Sequence, residues 1–277
     1  MENQNLHTVG SDNLGEAPTE DSLTKPSDAL SPSMIHAPEG LFSFNGKVAE
    51  IFEDMAVRSI PMYKEVHRLH ASLLHASMVV RTQENPYTIL DVGASRGGFI
   101  EEVCNQFHFP KTSKPLQIEA HAVDTSARMC ELLKQDMPWV NVENRDVGSL
   151  TVKEGYDLIT VFYTMQFVPP ARRFDVLLRL YESLKPGGVL VIGAKCKSML
   201  YTETLDREYH KWRMGNGYSV AEIHQKTQAL EGSMWVETPE ATTRRLITAG
   251  FCDIQETTRW CQFSTLIARK ALGAENA

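Results

Sequence analysis

Three aspartates and a run of glycines have the types and spacing to hold a nucleoside. Asp91 and Val92 lead into Gly93-Ala94-Ser95-Arg96-Gly97-Gly98, so an apolar run passes through a carboxylate into a glycine-bearing bend. Glycine lets a backbone turn where a side chain would clash and lets a ligand approach it closely. In an open α/β sheet, such a bend at the carboxyl end of the first strand faces the ligand crevice. Asp91 is placed to accept hydrogen bonds from an ammonium group, directly or through water. Asp124 closes a second apolar run and Thr125 follows it; a carboxylate there accepts from both hydroxyls of a ribose and repels a phosphorylated dinucleotide. Its distance from the glycines exceeds the ~20 residues usual for an NAD fingerprint. Asp146 and Val147 follow a third run, where the acid suits an adenine amine and the next N–H a ring nitrogen. S-adenosyl-L-methionine (SAM), an adenosine with a cationic amino-acid end and no phosphate, is the cofactor these positions predict. The plainer readings are an ordinary tight turn and solvated acids at strand ends.

Holding those residues in one place takes alternating strands and helices. Strands are predicted at Thr88–Val92, Ile118–Val123, Val140–Glu143, Tyr156–Phe162 and Val189–Gly193. Between them come an amphipathic helix over Phe99–Phe107, one capped by Ser126 and running to Gln135, and one opened by Pro170 and reaching Leu184. Lys185-Pro186-Gly187-Gly188 reads as a stop and turn; a helix ending this way before an apolar strand is common among SAM-dependent methyltransferases. A helical insertion over Met199–Leu230, a helix over Pro239–Ala249 stopped by Gly250, and closing strands at Asp253–Thr257 and Cys261–Arg269 complete the pattern. The fold predicted is α/β, Rossmann-like, of the class I methyltransferase type, with a doubly wound seven-stranded sheet. That domain spans 85–272. A helical cap over 39–84, broken at Pro61, precedes it, and 1–38 is a polar tail too poor in apolar residues to order itself.

Composition narrows the classes. The chain has 277 residues, 42% of them hydrophobic, and a formal net charge of −7, so general attraction to nucleic-acid phosphates is not indicated. Its five cysteines show neither zinc-knuckle nor redox-pair spacing, which fits a reducing compartment. The N-terminus lacks the basic start and apolar run of a secretory signal, and no stretch reaches the ~20 apolar residues that span a bilayer. A cytoplasmic protein without a metal site is expected.

Segments outside the nucleoside positions carry a closer likeness. Val48-Ala49-Glu50-Ile51-Phe52-Glu53-Asp54-Met55, Arg58-Ser59-Ile60-Pro61-Met62-Tyr63, Thr164-Met165-Gln166-Phe167, Asn216-Gly217-Tyr218-Ser219 with Glu222-Ile223 and Gln225-Lys226, and Trp260-Cys261-Gln262-Phe263 together resemble the carboxy-SAM synthases of bacterial wobble-uridine modification. The likeness runs from about Phe42 to Lys270. It implies conversion of SAM and prephenate to carboxy-SAM, a homodimer, and cofactor contacts at Tyr63, Gly93, Ala94, Ser95, Asp124, Thr125, Asp146 and Val147, with Tyr63 brought over the cofactor by the cap.

Two positions depart from that family. An arginine that pairs with the added carboxylate follows the Gln-Lys pair in its members, whereas Thr227 stands here; Phe162 replaces an asparagine. A charged arginine–carboxylate contact is worth roughly 1.5–3 kcal/mol, and a threonine hydroxyl does not neutralise the charge. The expectation is therefore methyl transfer to an unidentified small-molecule or RNA-linked acceptor by a diverged relative. The alternatives are a true synthase with a re-sited anchor and a non-catalytic binding module. No residue is assigned as general base; Tyr163, His210 and His224 are the candidates at the expected mouth.

Overall fold

Ile89 and Leu90 are both buried, and they enter different cores, as consecutive residues do in a strand covered on both faces. The same holds along the sheet, and it makes the structure, a computed structural model, three-layered. It describes residues 44, 46–79, 85–115, 117–152, 155–198 and 200–273. The polar tail predicted over 1–38, and Leu41 and Phe42 of the cap, lie outside the described residues.

The elements in chain order are α1 (Lys47–Glu50), α2 (Phe52–Ser59), α3 (Tyr63–Val79), β1 (Tyr87–Val92), α4 (Gly98–Gln106), β2 (Ile118–Asp124), α5 (Ala127–Asp136), β3 (Asn141–Asn144), β4 (Tyr156–Phe162), α6 (Arg173–Ser183), β5 (Leu184–Lys195), α7 (Thr202–Gly215), α8 (Val220–Leu230), α9 (Pro239–Thr248), β6 (Cys252–Trp260) and β7 (Phe263–Arg269). They build one seven-stranded sheet in the order β3-β2-β1-β4-β5-β7-β6. The first five strands pair in parallel, and β7 runs antiparallel to both β5 and β6. The order reverses between β1 and β4, which opens a crevice at their carboxyl ends.

On one face Ile89, Ala122, Leu158 and Val191 pack against Val66 and Leu74 of α3, Phe99 and Val103 of α4, and Leu133 of α5. On the other, Leu90, Ile159, Val161 and Leu190 meet Val176, Leu177 and Leu180 of α6 and Leu246 of α9. Each such side chain contributes roughly 1.5–3 kcal/mol by leaving water. Val48 and Met55 join Tyr218 and Ile223 in a third cluster, which ties the N-terminal helices to the insertion α7–α8.

Caps set the helix starts. Ser126 accepts from the Met129 N–H at 3.2 Å, and Ser219 forms a reciprocal capping box with Glu222. After α9, Gly250 (φ +104°) sits between two closing bonds, Gly250 N–H to Ile247 O and Phe251 N–H to Leu246 O; this Schellman geometry is the stop foreseen at Gly250.

Several boundaries differ from expectation, and four of them have a local cause. The helix stops at Ser183, but Lys185-Pro186-Gly187-Gly188 is not a turn before the strand: β5 already begins at Leu184, and its register against β4 shifts between Tyr156 and Leu158. The glycines absorb an irregularity inside the strand, with Gly187 at φ +77° and its N–H bonded to Lys270 O. The third strand starts at Asn141, because the Val140 N–H is committed to Met137 O and pairing with β2 begins at His121–Asn141. Pro170 opens a 3-10 turn rather than α6 itself, closed by Arg172 N–H to Pro169 O. Cys261 and Gln262 make the hairpin turn, so β7 begins at Phe263 opposite Trp260.

Candidate nucleoside and acceptor site

The crevice at the carboxyl ends of β1, β2, β4 and β5 is a cavity of about 470 Å³, roofed by α2 and α3 and walled on one side by α7 and α8. All nine residues singled out in the sequence line it: Tyr63, Asp91, Gly93, Ala94, Ser95, Asp124, Thr125, Asp146 and Val147.

The bend after β1 is a left-handed turn. Gly93 lies at φ +69° and Ser95 at +50°, and the N–H groups of Gly93 and Ala94 both bond to Val123 O, which binds the bend to β2. A Cβ on Gly93 would fall 2.0 Å from Thr164 Oγ1, so both conformation and space demand glycine there. Asp91 is 3% exposed and accepts from Thr160 Oγ1 at 2.7 Å. Burial pushes its carboxyl up to about 7 against the pull of that bond, and the Asp124 charge pushes the same way. A cationic group bound beside Asp91 would return it to the ionised form.

Asp124 is fixed by the backbone. Its Oδ2 accepts from Ser95 N–H at 2.9 Å and its Oδ1 from Ser126 N–H at 2.8 Å. Burial raises its carboxyl while these bonds oppose the rise. Each oxygen keeps acceptor capacity, and the two together suit a vicinal diol. Asp146 is also anchored: Oδ1 accepts from Gly148 N–H at 2.8 Å and from Arg172 Nη2 at 2.7 Å, so the other oxygen is the one open to a ligand. Tyr63 stands above the cavity, half-buried, with its ring 4.4 Å from His67 and 5.9 Å from Tyr163. Burial and the nearby Asp91 carboxylate hold its hydroxyl above the ordinary range.

The base candidates part company. Tyr163 lines the cavity in a left-handed conformation (φ +55°), and burial raises its phenol. His210 and His224 are exposed and absent from the lining. On α7 the side facing inward carries Tyr209 and Arg213, four apart, and on α8 it carries Lys226 and Thr227; each histidine points elsewhere on its helix.

His67, Lys195 and Arg213 escaped the sequence reading, and Gln166 and Lys226 entered it only within segments of family likeness. His67 is 4% exposed, its Nε2 has no hydrogen-bond partner, and burial lowers its imidazole to about 3. Gln166 accepts the Lys195 N–H through Oε1 at 2.7 Å and so pins the end of β5 to the turn after β4. Lys195, Arg213 and Lys226 place three basic side chains on the same wall. A charged residue closing an apolar parallel strand, as Lys195 does, was the one signal in the sequence. Thr227 lines the cavity, but its hydroxyl donates to Ile223 O at 2.8 Å, back into its own helix. The Phe162 ring fills space against His67 (4.6 Å) and Phe99 (5.4 Å).

A family model described as a methyltransferase domain matches residues 89–188. The chain is 32% identical over 239 residues to a carboxy-S-adenosyl-L-methionine synthase of Desulfotalea psychrophila, covering 83% of this chain and 92% of that one. The enzyme of the same name from Actinobacillus pleuropneumoniae is 30% identical over 240 residues, with 83% and 94% covered. Among solved structures, magnesium protoporphyrin IX methyltransferase from Synechocystis with bound SAH superposes with a TM-score of 0.54 at 12% identity, over 82% of this chain and 96% of that one. At that identity the match bears on the fold, which is the class I methyltransferase fold.

Proposed function

This chain belongs to the carboxy-S-adenosyl-L-methionine synthase family and is a SAM-dependent transferase; we propose that within that family it transfers the methyl group itself, to an acceptor bound between Tyr163 and the α7–α8 wall. One observation carries the reading. The glycine bend and three strand-end carboxylates open on a single cavity of nucleoside size, while the residue at the family's carboxylate anchor, Thr227, has its hydroxyl turned away from that cavity.

When bound, SAM supplies a methyl on a sulfonium, so that the acceptor's lone pair forms the new bond to carbon as the carbon–sulfur pair stays on sulfur and SAH leaves. The protein's part is to hold and align. Asp91 and the bend around Gly93 take the amino-acid end, Asp124 and Thr125 the ribose, and Asp146 with the Val147 N–H the adenine. The buried, unpartnered Nε2 of His67 also faces this lining. Tyr63, Phe162 and Tyr163 surround the reacting end with rings and exclude water from it. With its imidazole lowered to about 3, His67 is neutral and a weak base.

The second reading, carboxy-SAM synthesis, is favoured by the unpaired cations on the same wall, which provide a different place for a carboxylate. Mass spectrometry of protein incubated with SAM, with and without saturating prephenate, separates the two. Methyl transfer predicts SAH without prephenate once acceptor fractions are added. Appearance of SAM bearing an added carboxyl group, dependent on prephenate, would overturn it. Among the described residues no helix is long and apolar enough to cross a membrane. All five cysteines are free thiols, which supports a reducing cytoplasm as the site of action, and the family likeness supports a homodimer.

A further inference from the structure

His67 and His70 stand three residues apart on α3 and are both almost fully buried, yet only one is satisfied. His70 bonds through Nδ1 to Val66 O at 2.7 Å and through Nε2 to Thr257 Oγ1 at 3.0 Å. His67 lines the cavity, its Nε2 is enclosed without a partner, and among the described residues its Nδ1 has no hydrogen bond either. Its ring packs against both Tyr63 (4.4 Å) and Phe162 (4.6 Å), which fixes where its polar edge points. The edge bearing Nδ1 faces the start of α4: a Cβ on Gly98 would lie 3.5 Å from Nδ1 and 3.6 Å from the Tyr63 hydroxyl. That hydroxyl also has no hydrogen-bond partner among the described residues. Burial, and after it the His70 charge, holds the His67 imidazole at about 3, so the ring is neutral and carries one proton. Nε2 has no acceptor to receive that proton, which leaves Nδ1 as the donor. Gly97 gives the nine-residue α4 no side-chain cap, and the free N–H groups of a first helical turn favour an anion. Donors from a ring, a phenol and a helix start thus converge beside Gly98.

The two ends of a zwitterion need opposite partners. Among the described residues of α3, β1 and the start of α4 that line the cavity, Asp91 is the one acid, and none is lysine or arginine. The amino-acid end of SAM brings an ammonium group for Asp91 and a carboxylate for which this side of the cavity holds no cation. A carboxylate taken out of water must be hydrogen-bonded, and N–H and O–H donors beside a helix start meet that demand. We infer that His67 is a cofactor-binding residue whose Nδ1–H donates to the α-carboxylate of SAM, with that carboxylate seated at the first turn of α4 beside the Tyr63 hydroxyl. The inference rests on the SAM reading above and supplies the partner for the half of the amino-acid end that Asp91 leaves unmatched. It also accounts for an imidazole set among Tyr63, Phe99 and Phe162, where an apolar side chain would pack without leaving a polar atom bare.

The test is calorimetry on the full chain with three ligands: SAH, its decarboxylated analogue S-adenosyl-3-thiopropylamine, and 5′-methylthioadenosine, which lacks the amino-acid end. The unmodified protein should bind SAH at least about tenfold more tightly than the decarboxylated analogue, as expected for hydrogen bonds to a charged group. His67→Leu should weaken SAH about tenfold and leave the analogue within about twofold of the parent, so that the preference for the carboxylate collapses. 5′-Methylthioadenosine should bind parent and variant alike. Equal weakening of SAH and the analogue would make His67 a packing residue and overturn the inference, and so would unchanged affinity for both. Failure of the unmodified protein to bind either SAH or 5′-methylthioadenosine would instead overturn the SAM reading, so the two failures are distinguishable. Should His67→Leu not fold, His67→Phe, which keeps a ring against Phe162 and removes both nitrogens, gives the same comparison.

Discussion

Replacing Asp91 by asparagine should make the ligand-free protein more stable while depriving it of its cofactor. The buried Asp91 carboxyl sits at about 7 against an ordinary value of 3.8, a difference of about three units, or about 4 kcal/mol. A raised carboxyl is protonated in the fold and ionised in the unfolded chain between those two values. Its favourable contribution is therefore complete below the unfolded value and is lost as pH climbs through about 7. Asparagine never ionises and still presents an oxygen to Thr160 Oγ1, so the variant escapes that loss. Urea unfolding from about pH 5 to about pH 8 should show the parent losing stability relative to Asp91→Asn, with the variant ahead by about 2–4 kcal/mol at the upper end. SAM titration should show the reverse: affinity at least tenfold weaker in the variant, and falling in the parent below pH about 7 as Asp91 takes up its proton. A variant no more stable than the parent at about pH 8 would refute the burial argument, and SAM affinity unchanged in the variant would refute the role given to the carboxylate.

Asp124→Ala should weaken SAM binding by about 1–3 kcal/mol in calorimetry, because charged hydrogen bonds to the ribose are lost; unchanged affinity would remove Asp124 from the site. Gly93→Ala meets both a left-handed backbone and the Thr164 side chain, so a stability loss of at least about 1–2 kcal/mol in urea, with loss of SAM binding, is expected. Arg173, 1% exposed, donates to Val168 O and Trp235 O and pairs with Glu237 at 3.0 Å. Arg173→Met should lower unfolding free energy by about 3 kcal/mol, the lower end for a broken buried pair, because Arg245 still holds Glu237; a neutral result would show that the segment from Trp235 to Glu237, whose Trp235 N–H also bonds to Gln166 O, needs no such anchor.

The half of the cavity formed by the ends of β1 and β2 was legible because its parts are local in sequence: an acid, a bend and glycines in a row at Asp91–Gly98, or an acid closing an apolar run at Asp124. The opposite half was not, since Lys195, Arg213 and Lys226 come from three elements and each looks like any solvated base. Helix phase settled what side-chain type did not. His210 and His224 were chosen for their chemistry, yet Tyr209 and Arg213 hold the inward face of α7, and a histidine one position on is turned by roughly 100°. Lys185-Pro186-Gly187-Gly188 misled for a related reason. Proline and glycine announce a departure from regular pairing, and whether that is an exit or an irregularity within β5 depends on residues after β7 that bond back to it.

The inner position of β7 has a consequence for assembly. Strand β6 is made first but sits outside β7, so it has no neighbour in the sheet until β7 lies beside β5. Before that event β5 is a bare edge, and the stretch it would show, Val189 to Ile192, is entirely apolar. A molecule delayed at this stage carries a sticky border to which the hairpin of a sister molecule fits as well as its own, so dilute refolding should yield chains that keep their own hairpins where crowded refolding yields exchanged ones.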